Sequence, residues 1–198
     1  YTAFSLIQDR TLKLDRFAQF NPDIFEHTDG HFYPGNNVAG SYVAVPALFV
    51  FDPVLDWLEA REKAQLEREG VGSVEYRVED HPNSQVFYRM AKEAGLTLRL
   101  GASAAVTSGF LMAPLMAGLT VLMFTMLVGR GIGWRRATGL ALLFAFGTPI
   151  FFRAGVLNHN VMLMATTFVA FHLMLQRRGQ GQARKTSTLA WAGAFCGF

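Results

Sequence analysis

The chain has 198 residues, of which 51% are hydrophobic and 17% are charged, and its formal net charge is +3. All 15 acidic residues lie between Asp9 and Glu93, whereas residues 94–198 contain nine Lys and Arg and no acid. This distribution excludes an ordinary soluble domain, in which both signs of charge share the surface, and the placement of the cations at the ends of apolar runs excludes a nucleic-acid partner. We therefore expect a water-facing first half and a membrane-embedded second half.

The residues best suited to chemistry are concentrated in positions 21–37, NPDIFEHTDGHFYPGNN. They are Asp23, Glu26, His27, Asp29 and His31. Carboxylates and imidazoles at such short spacing can act as general bases or bind a metal, but the same residue types also form the turns of plain solvated loops. Gly30 between the two histidines disfavours a rigid helix that presents both, no known metal signature fits, and we expect neither a metal nor a cofactor.

Three helices are expected between this loop and the membrane. Ser41–Phe51 is apolar but too short to span a bilayer, and Pro46 and Pro53 interrupt it, which indicates a helix that lies against the membrane surface. The charged stretch over residues 55–69 predicts a second helix. Residues 84–98 predict a third, amphipathic helix that leads into the membrane.

The second half predicts three membrane-spanning helices and the start of a fourth. Leu100–Val128 holds 29 uncharged residues, more than the roughly 20 that a bilayer core requires. The other spans are expected at about 137–152, 156–175 and 188–198, the last of them truncated. The predicted fold class is therefore an all-α integral membrane protein whose large first loop, residues 1–99, carries interfacial helices.

The basic turns predict the orientation of these spans. Residues 129–136 contain three arginines and residues 176–185 contain four Lys and Arg. Cations collect in cytoplasmic turns, so both turns are expected on the cytoplasmic side, which agrees with the two spans between them. Residues 1–99 and the turn near Arg153 then face the extracytoplasmic side.

Arg153 and His159 stand apart from this pattern because they flank the outer turn. Arg153 is either a snorkelling side chain or a ligand for phosphate, which its planar guanidinium suits well. His159, in LNHNV, is either one of several polar residues that cap the next helix, with Asn158 or Asn160 helping, or an ionisable functional group at the membrane. The sequence leaves both pairs of alternatives open.

The two ends of the chain predict that it belongs to something larger. It begins without Met and closes in a fresh apolar run, Leu189–Phe198. No signal-peptide pattern precedes the first loop. We therefore expect a piece of a longer polytopic protein.

Three stretches of the chain carry a family resemblance. They are YTAFSLIQDRTLKLD, DGHFYPGNNVAGSYVAVPALF and FGTPIFFRAGVLNHNVMLMATTFVAFHLML, with a basic-flanked span before the last. In this order they resemble bacterial polytopic glycosyltransferases of the GT-C architecture, which are relatives of the protein-mannosyltransferases (family 39) and the aminoarabinose transferases. The matching positions are Gly30, His31 and Tyr33, then Gly40–Phe49, then Arg153 and His159.

The resemblance implies transfer of a sugar, with inversion, from a polyprenyl-phosphate donor to an unknown glycan, lipid or protein acceptor outside a bacterial inner membrane. A carboxylate of the first loop would deprotonate or orient the acceptor, and cationic groups would hold the lipid phosphate. On this basis Asp23, Asp29 and His31 are the candidate catalytic residues. The candidate substrate- and phosphate-binding residues are Tyr33, Arg153 and His159. The family's own catalytic Asp precedes the position that matches Tyr1, so Asp23 and Asp29 are assigned by proximity.

Two alternatives involve no covalent chemistry. A transporter or flippase subunit would need polar side chains along its spans, and the spans here offer a few threonines and His172. The second alternative is a non-catalytic membrane remnant of a truncated gene.

Overall fold

The computed structural model describes residues 1–20, 23–35, 38–71, 82–175 and 186–197. The chain divides into two compact units, Tyr1–Thr107 and Ser108–Phe198. Helices dominate both units, and the strands of the described residues are limited to one short hairpin. The mainly α-helical class is therefore confirmed, whereas the basic turn expected at 176–185 lies outside the described residues.

The first unit begins with short helical segments around an aromatic core. In chain order its elements are α1 (Thr2–Phe4), a π-helical turn (Ser5–Asp9), a 3-10 helix (Asp15–Phe20), β1 (Ile24–Glu26), β2 (Phe32–Pro34), α2 (Ala39–Glu69), α3 (Pro82–Glu93) and α4 (Thr97–Thr107). Phe4, Phe17 and Phe20 are buried, and the Phe17 ring centre lies 5.5 Å from that of Tyr1 and 6.2 Å from that of Phe4. Burial of a Phe side chain stabilises a fold by about 1.5–3 kcal/mol, so this core anchors the 3-10 helix.

The observed α2 corrects the prediction of two separate helices at 41–51 and 55–69. It runs for 31 residues and contains both Pro46 and Pro53. Proline removes one backbone hydrogen bond and usually breaks a helix interior. Here the two prolines are two helical turns apart, which places them on the same side of the helix, and that side is exposed. The backbone carbonyls that lose a hydrogen-bond donor to these prolines therefore lie on the exposed side of α2 and not on its buried side.

The predicted third helix, at 84–98, is also corrected, because it is interrupted by a tight turn at Gly95. This glycine has φ +65°, a conformation that glycine adopts without steric cost. Its N–H donates to the carbonyl of Lys92 at 2.9 Å, and the next N–H, of Leu96, donates to the carbonyl of Ala91 at 2.9 Å. These two bonds form a Schellman motif, which ends α3 before α4 begins.

Arg99, in the first turn of α4, holds α2 against α4. Its side chain is 1% exposed, and its guanidinium donates to Asp52 at 2.7 Å, to Glu59 at 2.9 Å and, through a short hydrogen bond, to Asp56. The guanidinium carbon also lies 4.8 Å from the ring centre of Phe4, within the range of a cation–π contact. Three carboxylates of one helix thus converge on one buried cation of another, which offsets the cost of removing these charges from water.

The second unit is a set of apolar helices. They are α5 (Ala113–Gly129), preceded by a π-helical turn (Ser108–Met112), then α6 (Trp134–Phe146), α7 (Ile150–Arg153), α8 (His159–Leu175) and α9 (Thr186–Gly197). The span expected at 137–152 is divided between α6 and α7, because Pro149 disfavours helix in the residue before it. The helices α8 and α9 agree with the expected 156–175 and 188–198 to within three residues.

One helical stretch within the described residues, Thr97–Gly129, is long and apolar enough to cross a bilayer. Only 17% of its apolar window is buried, whereas the core helix of a soluble protein would be mostly buried. The helix α8 is apolar but shorter. The span expected at 100–128 is therefore supported by length, composition and exposure, and the other spans stay predictions.

Candidate functional site

The HTDGH segment forms the turn of a β-hairpin. The strands β1 and β2 are antiparallel, with Phe25 opposite Tyr33. The His27 N–H donates to the His31 carbonyl at 2.9 Å, and the Gly30 N–H donates to the His27 carbonyl at 2.9 Å. Gly30 has φ +78°, which suits glycine. The two histidines are therefore presented by a turn and not by a helix.

Asp29 lies at the tip of this hairpin and accepts two hydrogen bonds. Its Oδ1 accepts the His31 N–H at 3.0 Å, and its Oδ2 accepts the Tyr33 hydroxyl at 2.9 Å. The Nδ1 of His27 lies 3.4 Å from Oδ1, and the Asp29 side chain remains 41% exposed. The structure thus brings together three of the predicted site residues, Asp29, His31 and Tyr33, at a position open to solvent.

Asp15 belongs to the same cluster, although the sequence analysis missed it. Its Oδ2 lies 2.7 Å from Nδ1 of His31, and its Oδ1 accepts the Phe32 N–H at 2.8 Å. The Leu14 N–H donates to the Phe32 carbonyl at 2.7 Å. Asp15 therefore ties the hairpin to the 3-10 helix that the aromatic core anchors. Its only local signal was an acid in the first turn of a short helix, where it complements the helix N-terminus.

These hydrogen bonds favour the ionised form of both carboxyls. The Phe32 N–H, and after it the His31 side chain, lower the pKa of Asp15. Partial desolvation opposes ionisation of Asp29, but the bonds from the His31 N–H and the Tyr33 hydroxyl outweigh it and lower the pKa of Asp29. The bond to Asp29 in turn raises the pKa of the Tyr33 hydroxyl. Both Asp side chains are therefore ionised at neutral pH and act as hydrogen-bond acceptors.

The hairpin is expected to loosen in acid. Because the folded state lowers the pKa of Asp15 and Asp29, their contribution to stability is present above the ordinary value of 3.8 and is lost as the pH falls below it, through the folded-state values. Hydrogen exchange of the Phe32 amide, corrected for its intrinsic pH dependence, measures this loss. In an Asp15→Asn variant the Phe32 amide should be less protected and should lose part of this pH dependence. Protection that increases on acidification would contradict the expectation.

Asp23 lies at the opposite end of the hairpin from Asp29. Its backbone carbonyl accepts the Gly35 N–H at 2.8 Å, just outside the first strand pair, Ile24 with Pro34. The structure therefore does not bring Asp23 into the cluster around Asp29. Among the residues that the structure describes, no group of three or more His, Cys, Asp or Glu is arranged to hold a metal ion.

Arg153 and His159 belong to the second unit, where Arg153 ends α7 and His159 begins α8. Both side chains are exposed. The Oδ1 of Asn158 accepts the Asn160 N–H at 2.9 Å and the Val161 N–H at 3.4 Å. Asn158 is therefore the cap of α8, as one of the two interpretations of LNHNV expected, and the role of His159 stays a prediction.

The second unit contains an apolar groove of about 890 Å³, whose lining includes the chain neighbours of Arg153 but not Arg153 itself. It is lined by residues of α5, of α6 and of the segment around α7, including Phe152 and Ala154 on either side of Arg153. Since residues 94–198 contain no acid, no carboxylate of the second unit neutralises this arginine. A cation next to an apolar groove has the chemistry that an anionic lipid requires.

Two candidate sites result, one in each unit: an acidic, aromatic hairpin in the first and a cation beside an apolar groove in the second. Comparisons of the chain with protein-family models, curated proteins and solved structures give no match.

Proposed function

We propose that this chain is part of a multi-pass membrane glycosyltransferase, which transfers a sugar from a polyprenyl-phosphate donor to an acceptor at the extracytoplasmic face of a bacterial inner membrane. One observation carries the proposal. It is the Asp29 carboxylate, held ionised and accessible by His31 and Tyr33, in a chain that also has a helix able to cross a bilayer. Transfer of a lipid-linked sugar needs a charged carboxylate near the membrane that can take up the proton of the attacking group.

The surface of the second unit supports a location in lipid. Phe110, Leu143, Phe152 and Trp191 are each at least 62% exposed, and the unit contains no acid. Such an apolar surface would drive association in water, whereas it is compatible with lipid tails. We propose that α6 to α9 belong to further spans, and the positive-inside rule then assigns the basic turns to the cytoplasm.

In the proposed reaction, a hydroxyl or amine of the acceptor attacks the anomeric carbon of the donor. The bond between that carbon and the phosphate oxygen breaks, its electron pair leaves with the polyprenyl phosphate, and the configuration inverts. The proton of the acceptor passes to the Asp29 carboxylate. A carboxylate with a lowered pKa is a weak base, which is sufficient when the leaving group is a stable phosphate anion. His31 and Asp15 position the turn that carries Asp29.

Arg153 is the proposed ligand of the donor phosphate, with His159 as a second donor of hydrogen bonds. A guanidinium can bind phosphate through two parallel hydrogen bonds and can stabilise the charge that develops on the leaving group. The apolar groove beside Arg153 would accommodate the first part of the prenyl chain. Asp23 has less support than Asp29, since it lies outside the hydrogen-bonded cluster.

The test is a transfer assay with the full-length protein in membrane vesicles. The probes are polyprenyl phosphates that carry radiolabelled hexoses or pentoses, and the measurement is the label that moves from the lipid donor to an acceptor. We expect transfer that requires the protein. Translocation of the intact labelled lipid without cleavage of the sugar–phosphate bond would contradict the proposal and would favour a flippase.

A further inference from the structure

We infer that the exposed side of α2 is a membrane-docking surface that inserts into the boundary between lipid headgroups and acyl chains. This surface, the α2 stripe, consists of Tyr42, Phe49, Val50, Val54 and Trp57. These side chains are 50–72% exposed. Phe49 and Val50 are neighbours and the other intervals are seven, four and three residues, so all five side chains lie on one side of the helix. Contiguous exposed apolar side chains outside the membrane-spanning stretch mark an interaction surface.

The opposite side of α2 is already occupied. Ala44, Leu48 and Leu55 are at most 4% exposed, and the carboxylates that bind Arg99 lie between α2 and α4. The α2 stripe is therefore not part of the core of the first unit. It is a second apolar surface, which requires a partner of its own.

The contacts between α2 and α4 give the direction in which α2 runs. Gly95, in the turn before α4, lies against Lys63, whereas Arg99, four residues later, binds Asp52. The residue numbers of α2 fall as those of α4 rise, so the two helices are antiparallel. The N-terminal half of α2 therefore lies beside the C-terminal end of α4, from which the apolar stretch continues along the chain.

The polarity of α2 changes along the same direction. Residues 39–51 contain no charge, whereas residues 59–69 contain seven charged side chains. Because α4 begins the bilayer-length stretch Thr97–Gly129, the uncharged end of α2 is the end nearer to lipid and the charged end is nearer to water. This match of polarity to position identifies the bilayer interface, and not a second protein, as the partner of the α2 stripe.

Trp57 lies where the uncharged part of α2 gives way to the charged part. The guanidinium carbon of Arg61 lies 5.4 Å from its ring centre. Tryptophan is enriched at membrane–water interfaces, and a neighbouring arginine can extend its charged group toward lipid phosphates. Trp57 and Arg61 therefore mark the level of the lipid headgroups, and Phe49 and Val50 lie deeper in the bilayer than Trp57.

Insertion of the α2 stripe would also fix the height of the Asp29 hairpin. The hairpin ends at Pro34 and α2 begins at Ala39, and five residues of chain reach at most roughly 18 Å. The hairpin is thus tethered to the inserted end of α2, close to the lipid surface. This consequence rests on the proposed function, in which the lipid-linked donor must reach Asp29. The docking of the α2 stripe does not depend on that function.

Fluorescence quenching by brominated lipids tests the docking. Trp57 is made the only tryptophan by Trp134→Phe and Trp191→Phe in the full chain, reconstituted into phosphatidylcholine nanodiscs whose acyl chains carry bromine at known depths. We expect Trp57 to lose fluorescence with the shallowest bromines, because it lies at the level of the headgroups. A Phe49→Trp, Trp57→Phe variant should be quenched at greater depth. The control is Glu67→Trp with Trp57→Phe, on the charged part of α2, which should keep its fluorescence.

Two results would overturn the inference. One is the absence of quenching at both position 49 and position 57. The other is disulfide cross-linking of Phe49→Cys between two copies of the chain, which would identify a protein interface. Quenching does not require catalysis, so quenching without sugar transfer would contradict the proposed glycosyltransferase while leaving the docking intact.

Discussion

Replacement of Arg99 by Met is expected to lower the free energy of unfolding of the first unit by about 3 kcal/mol or more. The substitution keeps most of the side-chain volume but removes the cation that binds Asp52, Asp56 and Glu59. Asp52 and Glu59 are only 20% and 9% exposed, so water cannot fully replace Arg99. Uncompensated charge at a buried site, and not the loss of packing, is the reason for the size of the effect.

Denaturant unfolding in mild detergent measures this loss, followed by the fluorescence of Trp57 on α2 in chains that carry Trp134→Phe and Trp191→Phe. The matched control is Lys63→Met, which also removes a cation from Glu59, at 2.6 Å, but from a side chain that is 50% exposed. A pair of residues i and i+4 on one helix, here with a half-exposed cation that leaves Glu59 still bound to Arg99, contributes only about 0.3–0.5 kcal/mol. Addition of Asp52→Asn and Glu59→Gln to Arg99→Met should restore part of the stability. Equal effects of Arg99→Met and Lys63→Met would contradict this account of the network.

The second large effect is expected at Asp29. In the full-length protein, Asp29→Asn should reduce sugar transfer by about 100-fold or more, the usual contribution of a general base, while the amount of protein in the membrane stays unchanged. The Asn side chain can still accept the His31 N–H, so the turn should persist. The loss would then be chemical, because an amide cannot take up the proton of the acceptor.

Two further variants make this prediction specific. Glu26→Gln removes a carboxylate from an exposed position of β1 in the same hairpin and should leave transfer unchanged. Tyr33→Phe removes one hydrogen bond that lowers the pKa of Asp29 and should therefore move the acidic limb of the pH–rate profile to higher pH. If Asp29→Asn retains the activity of the wild type, Asp29 has no catalytic role.

Long, uniform stretches of the fold could be predicted from the sequence. The apolar run at 100–128 agrees with the stretch Thr97–Gly129 because length and absence of charge are sufficient to define such a helix. The helix α2 could not be predicted as one element, because Pro46 and Pro53 break most helices. Only the packing of its other side on α4 explains why it continues. The turn at Gly95 was predictable in principle, since a glycine after a helix favours a Schellman motif.

The candidate site was predictable only where its residues are close in sequence. Asp29, His31 and Tyr33 lie within five positions, and a turn brings them together. Asp15 contacts His31 only because the aromatic core places the 3-10 helix beside the hairpin. Arg99 resembled any other cation at the start of a span, and its three carboxylates are 40 to 47 positions away. Such long-range pairs have no local pattern, so they emerge only from the tertiary structure.

In the proposed topology, the Asp29 hairpin faces the outside of the membrane that holds the second half of the chain. Labelling of single cysteines in intact cells with a membrane-impermeant maleimide tests it most directly. Cys196, the only cysteine, is replaced by Ser, and Thr28→Cys, in the hairpin turn, is compared with Gln180→Cys, in the basic turn outside the described residues. We predict that position 28 is labelled in intact cells and position 180 only after permeabilisation. Labelling of position 180 from outside the cell, with position 28 protected, would contradict the orientation and with it the proposed function.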